Sequence, residues 1–134
     1  MLAPRLLGRT AKGLAMSATL YGIKNCDTVK KARQWLDLNR IDYRFHDFRG
    51  DGLSTMQTQA WLDEIGLDTL LNKRGTTWKQ LDEAVRAQMT AATAAALLAE
   101  YPTLIKRPVL DIGHQRFVGF SDPRYRDIFK THTL

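Results

Sequence analysis

Between Ala18 and Phe48 the apolar residues of this sequence change period twice, from a strand-like run to a helical stripe and back to alternation. Ala18-Thr19-Leu20-Tyr21-Gly22-Ile23 is a short β-branched and aromatic run punctuated by glycine, which predicts a buried strand of about five residues. Asn25, Asp27 and Thr28 follow, and their side-chain oxygens are of the kind that accept hydrogen bonds from the free amides of a first helical turn. Val29, Ala32, Trp35 and Leu36 then recur at helical spacing, with Asn39 as the stop. From Ile41 to Phe48 apolar or aromatic residues stand at nearly every second position, a half-exposed strand. Strand, helix, strand within one sheet requires a parallel pair joined by a right-handed crossover.

The pattern then becomes helical. Ser54-x-x-Gln57 and Thr77-x-x-Gln80 have capping-box spacing and predict helices over Leu53–Glu64 and Thr77–Gln88. Between them Leu70–Thr76 reads as a short helical turn ending in a loop, and the alanine-rich Thr90–Glu100 predicts a further helix stopped by Pro102. Two alternating runs, Val109–Ile112 and Arg116–Phe120, flank a turn containing Gly113 and predict a hairpin. Ser121-Asp122-Pro123 supplies a cap and an early proline for a closing helix over Arg124–Phe129. The expectation is an α/β chain of order βαβ, a helical insertion at about 53–101, then ββα.

At 134 residues with 44% apolar content, the chain suits one core and needs no cross-links to sustain it. A single cysteine, Cys26, excludes an internal disulfide and points to a reducing, cytoplasmic setting. Zinc ribbons and iron–sulfur clusters need several thiolates, and His46, His114 and His132 have no ligand spacing, so no metal is expected. The formal charge of +6 is concentrated at the start: Arg5, Arg9 and Lys12 lie within residues 1–16, which contain no acid. Without them 17 basic residues face 14 acidic ones, and no basic recognition stripe emerges, so direct nucleic-acid binding is not expected. Residues 1–16 lack the apolar core of a secretory signal and read as a disordered N-terminal extension or an upstream start, with Met16 the natural first residue. Their composition also fits a transit peptide. Residues 17–134 form the single expected domain, and no stretch is apolar enough to span a membrane.

Cys26 falls between the first strand and the first helix. A thiolate there meets the partial positive charge and free amides of the helix N-terminus, with Lys24, Lys30 and Lys31 nearby. Such settings lower a cysteine pKa from about 8.5 towards roughly 3.5–7.5 and make the sulfur a nucleophile, whereas a free cysteine of purely structural use would be a small core residue. Polar neighbours on both sides favour the reactive reading. Val29 stands three residues beyond Cys26, so there is no C-x-x-C pair and any resolving thiol must come from outside, glutathione being the obvious intracellular one. Arg107-Pro108 opens the hairpin close to Cys26. A cis peptide there would expose backbone groups to an extended ligand, and a trans proline at a strand's first residue is the other reading. Lys24, Arg74 and Arg107 are candidates to hold glutathione carboxylates by charge-assisted hydrogen bonds. Trp35, Trp61 and Trp78 sit at helical apolar positions and read as core, and His114 as a solvated turn residue.

Three segments in order, Leu20–Ala32 around Cys26, Leu71-Asn72-Lys73-Arg74-Gly75-Thr76, and Ile105-Lys106-Arg107-Pro108, resemble the arsenate reductase (ArsC)/Spx-like family of thioredoxin-fold proteins, and within it the YffB-type members. The resemblance covers roughly residues 17–130. It implies a thioredoxin-like fold with a helical insertion, a cis peptide before Pro108, Cys26 as catalytic nucleophile used with glutathione as co-substrate, and Arg107 beside it holding an anionic group. Gly22-Ile23 and Phe120-Ser121 stand where arsenate reductases proper have a histidine and a late arginine. The resemblance therefore favours a glutathione-dependent oxidoreductase acting on a small-molecule or protein thiol or disulfide over one acting on arsenate. The alternative it carries is an Spx-like regulator that contacts RNA polymerase without catalysis.

Overall fold

Residues 17–132 are described by the computed structural model; the reading of residues 1–16 lies outside them. The chain runs through β1 (Ala18–Gly22), α1 (Asp27–Leu38), β2 (Tyr43–Asp47) and the single-turn α2 (Phe48–Asp51). A helical stretch follows: α3 (Thr55–Ile65), α4 (Leu67–Leu70), α5 (Thr76–Gln80), α6 (Glu83–Ala87), α7 (Ala94–Glu100) and a 3-10 turn at Pro102–Leu104. The hairpin β3 (Val109–Asp111) and β4 (Arg116–Val118) leads into α8 (Asp122–Thr131).

The four strands form one mixed sheet in the order β2-β1-β3-β4. β1 and β2 are parallel, from Ala18↔Tyr43 to Gly22↔Asp47, as a crossover through α1 requires. β3 runs antiparallel to β1, with Tyr21↔Val109 and Thr19↔Asp111, and β4 antiparallel to β3. Alternation along β1 sends successive side chains to opposite faces. Leu20 joins Val29, Ala32 and Leu36 of α1, Leu110 of β3, and Tyr125 and Ile128 of α8 in one apolar cluster. Tyr21 turns to the other face, where Val109, Trp61 of α3, Leu70, Leu98 of α7 and Leu104 form a second. The sheet thus lies between α1 and α8 on one side and the helical stretch on the other, a thioredoxin-like arrangement.

Where local chemistry is unambiguous the elements begin as expected. Ser54 Oγ accepts from the Gln57 amide at 3.1 Å and Ser121 Oγ from the Arg124 amide at 3.2 Å. In the hairpin turn Gly113 takes φ +102°, its amide donating to Asp111 Oδ1 at 2.7 Å.

Four expectations need correction. At the start of α1, Cys26 itself occupies the N-cap position and no side chain caps the helix. The Cys26 carbonyl accepts the first helical bond, from Lys30 at 2.9 Å, so Asn25, Asp27 and Thr28 are each out of step for capping. β2 stops at Asp47, whose carboxylate accepts from the Arg49 amide and turns the chain into α2, burying Phe48. The helix expected over Thr77–Gln88 is two short ones interrupted at the extended Leu81. Thr77 does not cap it: its hydroxyl lies 2.7 Å from the Thr103 hydroxyl. The helix expected from Thr90 starts at Ala94, because Thr90 and Thr93 bond to each other in a turn.

Candidate active site

The end of β1 delivers the thiol. A Cβ on Gly22 would stand 2.7 Å from Val29 Cγ2, so only glycine lets the first turn of α1 press this closely on the strand. Ile23 turns the chain back, its carbonyl accepting from the Cys26 amide at 3.2 Å. Cys26 emerges half-buried at the seam of the two apolar clusters, packed against both. It sits at the N-terminus of a 12-residue helix, beside the unpaired amides of the first turn and the positive end of the aligned peptide dipoles. Lys24, Lys30 and Lys31 are exposed around it, as is Asp27 in the first turn.

The Arg107-Pro108 peptide bond is cis. Extending the β1–β3 register by one residue sets Pro108 opposite Gly22, the point from which the chain leaves for Cys26. Pro108 is buried, and its carbonyl accepts from the Gly119 amide at 2.8 Å. Arg107 is half-buried beside it. Its Nη1 donates to the Thr103 carbonyl at 2.8 Å and the Ile105 carbonyl at 3.2 Å, and its Nε is buried without a hydrogen-bond partner among the described residues.

The second and third motifs of the sequence meet through the backbone. Leu71 bridges Ile105 antiparallel, Asn72 N donates to Leu104 O at 2.7 Å, and Lys106 N donates to Leu70 O at 2.8 Å. Since β3 pairs with β1, all three motifs are joined around one end of the sheet. Arg74 stays exposed in the loop after Leu71, its amide bonded to Asn72 Oδ1 at 3.2 Å. Among the described residues no hydrogen bond or ion pair ties Arg74 or Lys24 to Cys26 or to Arg107. Neighbouring Lys73 lies over the Trp78 ring at 5.8 Å, and Trp78 is half-buried, whereas Trp61 is fully buried.

The Thr77–Thr103 contact is a feature the sequence did not reveal. It pins α5 to the 3-10 turn whose Thr103 carbonyl orients Arg107. The two threonines are 26 residues apart, and no local pattern marks such a pair. Among the described residues no group of three or more His, Cys, Asp or Glu side chains could hold a metal ion, and no helix is long and apolar enough to cross a membrane.

Residues 21–128 match the ArsC family. An uncharacterized protein of Haemophilus influenzae is 48% identical over 112 residues, spanning 83% of this chain and 97% of its own. The solved YFFB protein superposes with a TM-score of 0.78 at 42% identity, covering 88% of this chain and all of that one. An arsenate reductase (ArsC) related protein from Brucella melitensis superposes with a TM-score of 0.68 at 45% identity, covering 87% and 97% respectively. The global transcriptional regulator Spx of Streptococcus pyogenes serotype M3 is 26% identical over 110 residues, 81% of each chain. With a cysteine at the first helix N-terminus, a cis-proline opposite Gly22 in the strand register and a family match over most of its length, this chain belongs to the ArsC family of thioredoxin-fold, arsenate reductase-like proteins.

Proposed function

We propose that the protein is a glutathione-dependent thiol–disulfide oxidoreductase with Cys26 as its nucleophile. The observation that carries this reading is the placement of the chain's single cysteine, half-exposed at the N-cap of α1, with no second thiol to resolve an adduct. With a glutathione mixed disulfide as substrate, the Cys26 thiolate attacks the glutathione sulfur. The old S–S bond breaks, the substrate leaves as a thiolate and takes up a proton, and Cys26 is left glutathionylated. A second glutathione thiolate attacks that disulfide at the glutathione sulfur, releasing oxidised glutathione and returning Cys26 as the thiolate. In sum one free glutathione is consumed per mixed disulfide, its thiol proton going to the departing substrate thiolate, and the two glutathiones leave as one disulfide.

In this reading Arg107, anchored by two carbonyls, presents its remaining guanidinium edge to a carboxylate of the incoming tripeptide. Lys24 and Arg74 supply further positive charge at the rim, and Pro108 lines the site as its buried wall. The test compares turnover of a glutathionylated peptide between wild type and Cys26→Ser in the presence of glutathione. Activity should fall to background in the variant, and equal rates would remove the assignment. Arg107→Lys keeps the charge and loses the planar fork, and should raise the KM for glutathione with a smaller effect on kcat.

The Spx relative supports a second reading, a regulator acting through a protein contact such as RNA polymerase. Recovery of polymerase subunits from a pull-down with wild type and Cys26→Ser alike, together with no thiol turnover, would favour it.

A further inference from the structure

We propose that His114 and His132 form a two-ligand site for a borderline divalent transition-metal ion, of the zinc, nickel or copper class, where the β3–β4 turn meets the end of α8. The two residues are 18 apart in sequence and come from different elements, yet His114 Nε2 lies 3.2 Å from His132 Nδ1. Their ring centroids are 5.1 Å apart at an interplanar angle of 52°, and the Phe117 ring stands 5.9 Å from His132. His114 is exposed and His132 half-exposed, so an ion reaches both nitrogens without disturbing either apolar cluster.

The separation of the two nitrogens already matches chelation. Two metal–imidazole bonds of about 2.0–2.1 Å meeting near the tetrahedral angle hold their nitrogens roughly 3.3 Å apart. Small rotations of the two rings about their Cβ bonds would therefore admit an ion with no movement of the backbone. In the metal-free pair one proton lies between the nitrogens, since one must donate to the other. Binding needs both lone pairs, so that proton moves to the donor ring's other nitrogen, a tautomer shift that leaves both imidazoles neutral with no net proton released. Imidazole selects zinc, nickel and copper over magnesium and calcium. With two protein ligands the other coordination positions are filled by water, which makes the ion exchangeable.

This site is separate from the thiol. Pro108 precedes β3 whereas the hairpin turn follows it, so the histidines lie at the opposite end of that strand from the cis-proline. A bound ion would cross-link the end of α8 to the sheet, and any ligand that binds only the folded state raises its apparent stability.

The untagged full chain, first freed of metal with a chelator, is titrated with zinc chloride or nickel chloride while Tm is followed, and is passed over a nickel-charged resin. The same is done with His114→Gln, His132→Gln and Cys26→Ser. Wild type and Cys26→Ser should be retained on the resin and gain several degrees in Tm, and each glutamine variant should lose both effects while keeping its metal-free Tm. Retention that survives in both glutamine variants overturns the proposal, as does retention lost in Cys26→Ser, or no Tm gain in wild type at millimolar metal.

Discussion

Tyr125 shows how much a single buried atom decides. Its ring is fully enclosed, edge-on to Phe120 at 4.6 Å and to Trp35 at 5.6 Å, with Phe129 at 6.2 Å, while its hydroxyl has no hydrogen-bond partner among the described residues. Removing a buried, unpaired hydroxyl removes a desolvation cost, so Tyr125→Phe should leave the protein at least as stable and raise stability by about 1 kcal/mol in urea unfolding. Tyr125→Ala, which empties the aromatic cluster, should cost about 3–5 kcal/mol in the same experiment. Gly22 is the converse case, a residue defined by the space it leaves free. An added methyl meets the stiff, fully buried Val29 at 2.7 Å, and Gly22→Ala should destabilise by about 1–3 kcal/mol. Because that contact also seats Cys26, the variant should alter the rate of Cys26 alkylation while it remains folded.

At the scale of the element, β4 is an edge strand closed by side chains. The bonds from Gly119 N to Pro108 O and from Ile112 N to Gln115 O show which β4-side backbone groups face β3, and this leaves the amides and carbonyls of Arg116 and Val118 turned to the open edge. The Arg116 amide donates to Glu64 Oε2 at 2.8 Å and its guanidinium Nη1 to Glu64 Oε1 at 3.0 Å, while the Arg124 guanidinium donates to the Val118 carbonyl. Arg116 Nε lies 3.4 Å from Asp111 Oδ2 but is not aligned for a hydrogen bond. Glu64 thereby ties α3 to β4 and occupies an amide that would otherwise be open to another strand. Glu64→Ala is expected to lower stability by about 1 kcal/mol, discounted for partial exposure. In light scattering it should also produce concentration-dependent association that Glu64→Gln, which keeps an acceptor, does not.

For the molecule as a whole, alkali is the informative perturbation. Burial pushes the Tyr125 phenol up, and burial followed by the Asp111 carboxylate raises Tyr21. In the unfolded chain both phenols ionise near their ordinary value of about 10. Above that pH the unfolded state has lost protons that the folded state keeps, so the stability these groups contribute is fully present below about pH 10 and declines as pH rises beyond it. Urea midpoints measured between pH 8 and pH 11 should fall on the alkaline side, and Tyr125→Phe should show a shallower fall. A slope unchanged in the variant would mean that other groups control the alkaline limb.

How far the sequence reaches is visible in particular residues. Period and punctuation located β1, α1, β2, the hairpin and α8, because apolar spacing and the caps at Ser54 and Ser121 are local chemistry that needs no partner elsewhere. They failed at Thr77, whose hydroxyl is a competent cap but bonds to Thr103, and at Thr90, where alanine content predicted a helix start but Thr90 bonds to Thr93 in a turn. The junction of β1 and α1 was legible for the same local reason, and it carried Cys26 with it. Which distant residues come together depended on the whole chain. The β1–β3 pairing brought the cis-proline opposite Gly22, the Leu71–Ile105 bridge drew the loop of Arg74 to the approach of Arg107, and two histidines spaced without a motif came within a hydrogen bond of each other. Strand pairing and loop closure join residues that are distant in sequence, and no local periodicity encodes which ones will meet.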